Sequence, residues 1–199
     1  MRVRIVFEKS NAMRFTSHLD LHRTWERTIR RADLPLTYSQ GYNPRPRITL
    51  ATALPLGFTS DAEVIEIRLD DEMPLGEILS RVRKSSPPGI ICREIFDVQN
   101  HSPKVPNLVD TAEYQVTIPG EHSEIEAKIE TLLKQDEVIR ERRGKEYDLR
   151  PRIFDLRVQS HDPEQTILQM ELEASQDLTG RPDEVLLALG IDPNECLIH

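Results

Sequence analysis

What most restricts the fold of this chain is the order in which two periodicities follow one another along it. Residues 2–8 set Val3, Ile5 and Phe7 at alternate positions between charged ones, the pattern of a half-buried strand. Over residues 18–32 the period lengthens: at about 100° per residue, Leu21, Trp25, Thr28, Ile29 and Ala32 fall in one sector of a helix. Residues 48–51 and 63–69 read as strands again, joined through Leu54-Pro55-Leu56-Gly57. A short helix over 75–82 turns Ile78, Leu79 and Val82 inward, Pro87-Pro88-Gly89 stops it, and residues 90–98 make a last strand.

That order, β-α-β-β-α-β, is the ferredoxin-like pattern, and the second half of the chain repeats its opening. A strand over 113–119 precedes a helix over 123–135 with Ile125, Ile129, Leu132 and Leu133 on one face. Strands follow at 137–142, 148–158 and 166–174, with a turn at Gly144-Lys145, and a helix over 182–189 ends at Gly190. Strand spacing predicts that residues 137–158 pair locally as a hairpin. Residues 100–110 hold two prolines and little periodicity, as a connector does. The predicted architecture is therefore α+β: two ferredoxin-like halves with mostly antiparallel sheets, at 1–99 and 112–199, and a linker at 100–111. No residue-level repeat accompanies the topological one.

Charge is segregated along this frame. Residues 1–47 carry ten Lys and Arg against four Asp and Glu, whereas the whole chain has 26 against 34, a net of −8. An acidic body repels a phosphate backbone, but binding follows the local patch rather than the sum. On the helix, Arg23, Arg27 and Arg30 lie roughly opposite the apolar sector, with Arg31 beside them. Ser17 is placed to cap it, with Asp20 three residues on, and Asp33-Leu34-Pro35 marks its end. A polyanion-binding face explains the arginine stripe; a solvated face partly paired by Glu26 explains it as well.

The segment after the helix sharpens the first reading. In Gly41-Tyr42-Asn43-Pro44-Arg45-Pro46-Arg47 two prolines restrict the backbone and Gly41 permits positive φ, so Arg45 and Arg47 project from a stiff turn. A stiff cationic turn loses little entropy on binding an anion, and the planar guanidinium fork matches phosphate. Tyr42 could stack on a base, with Asn43 and Arg14 as further contacts.

Several of these stretches also carry a resemblance. Phe7-Glu8-Lys9, Arg14-Phe15-Thr16-Ser17-His18-Leu19-Asp20-Leu21, Glu26-Arg27-Thr28-Ile29-Arg30-Arg31-Ala32 and Ser39-Gln40-Gly41-Tyr42-Asn43-Pro44-Arg45-Pro46 closely resemble the DUF2344 family of radical-SAM-linked proteins. The likeness extends through Leu54-Pro55-Leu56-Gly57 to Glu63. Farther on, Asp148-Leu149-Arg150-Pro151 and Gly180-Arg181-Pro182-Asp183-Glu184-Val185-Leu186 look like the family's later signatures. The resemblance implies an uncharacterised protein fused to, or encoded beside, a radical SAM enzyme, often near ribonuclease G and ribosomal protein genes. A radical SAM enzyme needs a cysteine triad for its iron-sulfur cluster. With only Cys92 and Cys196 present, such chemistry would belong to another polypeptide.

Other chemistries find little support. Neither a CxxC nor a cysteine-histidine spacing suits a metal, and no Walker loop, GxGxxG, GxSxG or HExxH occurs. No cofactor is implied. The N-terminus lacks the apolar core of a signal peptide and no run is long enough to span a membrane, so a cytoplasmic protein is expected. His18 and Asp20 are the weak candidates for proton transfer, since a histidine beside a carboxylate and arginines could act as a base on RNA; a helix cap explains Asp20 equally. A second basic run, Arg140, Arg142, Arg143, Lys145, Arg150, Arg152 and Arg157, is interleaved with acids. Arg150 and Arg152, with Arg181, would form a secondary patch if strand alternation put the first two on one face; paired charges on an exposed sheet are the competing account. Tyr147 is a second candidate for stacking.

The expected function is a non-catalytic RNA-binding or adaptor module that presents RNA or a ribosomal component to a radical SAM enzyme. A metal-independent RNA-processing enzyme using His18, and a protein-interaction scaffold whose arginines grip an acidic surface, are the alternatives.

Overall fold

In the computed structural model, which describes residues 1–142, 144–175 and 179–199, the chain divides into two compact units, Met1–Leu108 and Val109–His199. The first runs β1 (Arg2–Lys9), α1 (His18–Arg31), β2 (Ile48–Leu50), β3 (Ser60–Arg68), α2 (Leu75–Ser85) and β4 (Ile90–Asp97). Its sheet has the order β2-β3-β1-β4 with antiparallel neighbours throughout. This is the ferredoxin-like arrangement, reached because each helix carries the chain across one strand before it re-enters the sheet.

Alternation along β1 sends Val3, Ile5 and Phe7 inward, and the same parity carries Lys9 into the interior. Trp25 of α1 meets the Phe7 ring edge-on, at 4.8 Å between centroids and 69° between planes. Such a pair contributes about 0.5–1.5 kcal/mol beyond the area it buries. All five residues of the expected apolar sector, Leu21, Trp25, Thr28, Ile29 and Ala32, are buried. The other face of β1 holds Arg2 and Arg4, whose guanidinium groups both reach Glu66 Oε2, at 2.7 and 3.0 Å. Arg2 also donates to the carbonyl oxygens of Gln99, Ser102 and Pro103, and Arg4 to that of Pro103. The start of the expected linker is therefore fastened to this sheet, and Val105 is buried in the first unit.

The second unit runs β5 (Thr111–Pro119), α3 (Ile125–Leu133), β6 (Ile139–Arg142), β7 (Lys145–Asp148), β8 (Ile153–His161), β9 (Gln165–Glu173), α4 (Pro182–Ala188) and β10 (Leu197–Ile198). Its main sheet, β10-β5-β9-β8, has the same antiparallel order as the first. Between α3 and β8 stands the separate hairpin β6–β7. In the first unit the corresponding connection, from α1 to β2, carries the proline-punctuated loop.

Two expectations need correction here. The strand expected over 148–158 is broken, because Asp148 Oδ1 accepts from the backbone N–H groups of Val138 (2.8 Å) and Arg150 (2.9 Å) and Pro151 completes a short 3-10 turn. The local hairpin therefore closes within 139–148, and the chain beyond it joins the main sheet through β9. The unit also ends in a strand that the sequence did not reveal, β10, two residues long and paired with Thr117 and Val116. It is too short to show a period. Among the described residues, no helix is long and apolar enough to cross a membrane.

Candidate nucleic-acid interface

The ends of α1 are fixed by the residues that the sequence marks. The Ser17 hydroxyl accepts from the Asp20 backbone N–H at 3.2 Å and donates to Asp20 Oδ2 at 2.7 Å. At the other end Asp33 adopts φ 52°, its N–H reaches the Arg30 carbonyl at 3.1 Å, and the Leu34 N–H reaches Ile29 at 3.4 Å. That pair of bonds is a Schellman motif with aspartate where glycine is usual.

Along the outer side of this helix lies a cleft of about 490 Å³. Arg23, Thr24, Arg27 and Arg31 line one wall; Met13 and Thr16, from the short turn before the helix, line part of the rest, and Pro87 closes it. Asp20 stands at the same wall and pairs with Arg23 at 3.3 Å, both well exposed, so the pair contributes little to stability. Among the described residues Arg27 and Arg31 have no ion-pair partner. Two full guanidinium charges and one partly neutralised one thus face a concave space, where low-dielectric walls strengthen their pull on an anion.

Arg30 turns to the neighbouring shoulder of the helix. Its guanidinium pairs with Glu26 at 2.7 Å and donates to the Tyr38 hydroxyl at 3.0 Å, lying 5.8 Å from the centre of that ring. Tyr38 in turn bridges to Pro46, and the Ser39 hydroxyl accepts from the Arg45 N–H at 2.9 Å. The loop is closed at its base, as two prolines suggested, and its tip stands clear: Tyr42 is 99% exposed, and Asn43, Arg45 and Arg47 are exposed with it. Arg30 therefore ties the loop to the helix.

Arg14 lies in the short segment between Met13 and Thr16, which line the cleft. Its Nε donates to the Gly57 carbonyl at 2.6 Å, its own carbonyl accepts from the Gly57 N–H at 3.0 Å, and its guanidinium sits 5.2 Å from the centre of the Phe15 ring. Beneath it, buried Lys9 donates to the carbonyl oxygens of Phe58 (3.0 Å) and Arg14 (3.3 Å). Burial lowers the Lys9 ammonium from its ordinary value, partly offset by Glu63, while burial raises the Glu63 carboxyl.

His18 is half-buried, and its Nδ1 is enclosed without a partner. Burial, and secondarily His22, lowers its pKa, so the ring is neutral near pH 7. Asp20 is occupied by the cap and by Arg23. The secondary patch is spent inside its own unit: Arg150 donates to the carbonyl oxygens of Leu133 (3.1 Å) and Ile153 (3.3 Å), and Arg152 to that of Thr179. Arg181 forms a fork with Asp183 at 2.9 and 2.6 Å, and Arg140 pairs with Glu184. Arg152 also lies 4.6 Å from the centre of the Tyr147 ring, whose hydroxyl is buried, so this ring, unlike an exposed one, offers little surface for a base. Arg143 lies outside the described residues. No cluster of metal-ligating side chains occurs among the described residues.

Sequence reasoning missed Met13, Thr16, Thr24 and Pro87 as cleft walls. Thr16 and Thr24 follow from the helix register once the cap is fixed, but Pro87 arrives from a turn more than fifty residues away, and no local pattern announces it.

Comparison with known proteins adds a family and a distant structural match. A family model described as an uncharacterised protein conserved in bacteria, DUF2344, matches residues 2–182. No curated protein matches. A solved structure titled as an unknown protein from Galdieria sulphuraria aligns over 100% of this chain and 95% of its own, at 14% identity and a TM-score of 0.27. That superposition is too loose to carry an argument.

Proposed function

The chain belongs to the DUF2344 family of uncharacterised bacterial proteins, and on that premise we propose that it is a non-catalytic RNA-binding or adaptor module. In this reading it presents RNA or a ribosomal component to a radical SAM enzyme carried on another cytoplasmic polypeptide.

The observation that carries the RNA part is the cleft on α1, where Arg23, Arg27 and Arg31 converge on one concave space within a protein of net charge −8. Arginines kept only for solubility would be paired or dispersed; Arg27 and Arg31 are neither. The closed loop bearing Tyr42, Arg45 and Arg47 extends the same positive region around the helix through Arg30. Against proton-transfer chemistry stands the local wiring: Asp20 is engaged with Ser17 and Arg23, and among the described residues no carboxylate orients neutral His18. Family resemblance supports the radical SAM association, and with two cysteines, one in each unit, this chain would leave the iron-sulfur cluster's cysteine triad to its partner.

The test is recovery of RNA crosslinked to the protein in cells, comparing the parent with an Arg27→Ala, Arg45→Ala double variant of verified fold. Enrichment of one RNA class that disappears in the variant supports the reading. Absence of enriched RNA, with co-purification of a protein partner after exhaustive nuclease treatment, would replace it with a scaffold whose arginines grip an acidic protein.

A further inference from the structure

We propose that the cleft takes single-stranded RNA, an unpaired base lying on the Phe15 ring while the adjoining phosphates meet Arg23, Arg27 and Arg31. The inference rests on the RNA reading above and narrows it.

Phe15 is 75% exposed, and the backbone that carries it is held on both sides. Arg14, immediately before it, is bonded to Gly57 through both its backbone and its guanidinium, and Lys9 holds the Arg14 carbonyl from below. Thr16, immediately after it, donates its N–H to the Met13 carbonyl at 2.9 Å and forms part of the cleft wall. The chain thus presents an aromatic ring to solvent from the short segment whose Met13 and Thr16 line the cationic cleft, with the Arg14 guanidinium 5.2 Å from the centre of that ring. Aromatic rings beside guanidinium groups are the platforms on which unpaired bases stack, because every base offers a π-face and the strand's phosphates are neutralised nearby.

A duplex cannot use this platform. Its bases are already paired and stacked, and double-stranded RNA is read mainly through its backbone and hydroxyls. The charge row points the same way. A rise of about 1.5 Å per residue spaces Arg23, Arg27 and Arg31 about 6 Å apart along α1, a row that follows one strand. The volume of about 490 Å³ is that of a pocket for a small ligand, on the scale of nucleotides and well below that of a helical rod. A protein partner would use Phe15 differently, together with exposed Leu19 and Leu56 as an apolar knob, and leucine at position 15 would serve that purpose as well as phenylalanine.

The experiment measures binding of the full chain to a fluorescent oligoadenylate, alone and annealed to oligouridylate, for the parent and for Phe15→Leu, Phe15→Trp and Arg27→Ala. Phe15 is a surface residue, so the variants keep the fold, which circular dichroism verifies. The expected result is tighter binding of the single strand, a loss of about tenfold or more in Phe15→Leu, and parental affinity in Phe15→Trp. Equal or tighter binding of the duplex overturns the inference, as does a Phe15→Leu variant that binds like the parent. If RNA binding is lost in Arg27→Ala while Phe15→Leu has no effect, the RNA reading survives and the single-strand inference falls. If the parent binds neither form, both fall together.

Discussion

The Arg2 guanidinium approaches Glu66 Oε2 at 2.7 Å with the two side chains only 1% and 6% exposed, and the same arginine holds three backbone carbonyls of residues 99–103. A charge removed this far from water needs its partner. The pair joins two neighbouring strands to the segment that leaves the first sheet. Glu66→Ala is therefore expected to destabilise the first unit by about 3–5 kcal/mol, read as a lower urea midpoint for that unit's transition. A change below about 1 kcal/mol would mean that the carbonyls alone satisfy Arg2.

The same pair sets a dependence on acid. Burial acts to raise the Glu66 carboxyl, but hydrogen bonds and charge from Arg2 and Arg4 outweigh it and hold the group below its ordinary value. Its stabilising contribution is fully present above the unfolded carboxylate value and is lost as pH falls through the lower, folded one. Buried Glu63 has the opposite sign, since its raised value makes protonation easier in the folded state. Stability measured between about pH 5 and pH 2 should fall less steeply in Glu66→Gln than in the parent, whereas Glu63→Gln should steepen the fall.

Ser17 serves the helix that carries the arginines. Replacing it with alanine removes the acceptor for the Asp20 N–H and is expected to cost about 1 kcal/mol in stability. Asp20→Asn keeps a polar side chain beside Ser17 but removes the charge facing Arg23. Its expected effect is unchanged or tighter RNA binding, in a filter or anisotropy assay; a collapse of any RNA turnover in this variant would instead revive a catalytic role for Asp20.

The two basic regions should separate cleanly under mutation. Arg27→Ala and Arg45→Ala touch exposed groups, so melting temperatures should stay near the parent's, while RNA affinity drops and each removed phosphate contact lowers the salt slope by about one. Arg150→Ala should do the reverse. It strips the Leu133 and Ile153 carbonyls of their donor and lowers stability by about 1–3 kcal/mol, with the salt slope unchanged.

Gly89 couples backbone conformation to the cleft. At φ +93° it occupies a region unfavourable to other residues, its carbonyl accepts from Ser10, and a Cβ there would press on the Met13 side chain and lie 2.9 Å from the Met13 nitrogen. Gly89→Ala is expected to destabilise by about 1–3 kcal/mol and, because Met13 and Pro87 both line the cleft, to weaken RNA binding as well. Differential scanning calorimetry and the anisotropy assay check the two parts separately.

The parts of the fold that were legible in the sequence are those built from local period and local chemistry. Leu21, Trp25 and Ile29 announced the buried face of α1, and Ser17 and Asp33 its ends, because caps and amphipathic stripes are settled within a few residues. The fate of Arg150 and Arg152 was not legible. Alternation suggested a shared strand face, but Asp148 captured two backbone N–H groups and turned the chain into a 3-10 bend, which directs their guanidinium groups onto the carbonyls of Leu133, Ile153 and Thr179. Strand β10 escaped because two residues are too few to show a period and only its pairing with β5 marks it as a strand. At the cleft, the helix register grouped Arg23 and Arg27 with Arg30, which turns instead to Tyr38 and Glu26, whereas Arg31 takes the third place on the wall. That exchange, the burial of Lys9 beneath Arg14 and the closure by Pro87 depend on tertiary packing that sequence spacing does not encode.

Both units spend their extra chain in the same place, between the first helix and the strand that follows it: a proline loop in one, the β6–β7 hairpin in the other. Each of those following strands, β2 and β8, is the outermost of its sheet, so the path leading to it can lengthen without disturbing the strands at the centre. The connection is thus a port on a shared chassis. Loops grafted between residues 39 and 45, clear of Thr37 and Arg47, which bond to Arg68 of β3, should change the surface that the first unit presents without a redesign of its core.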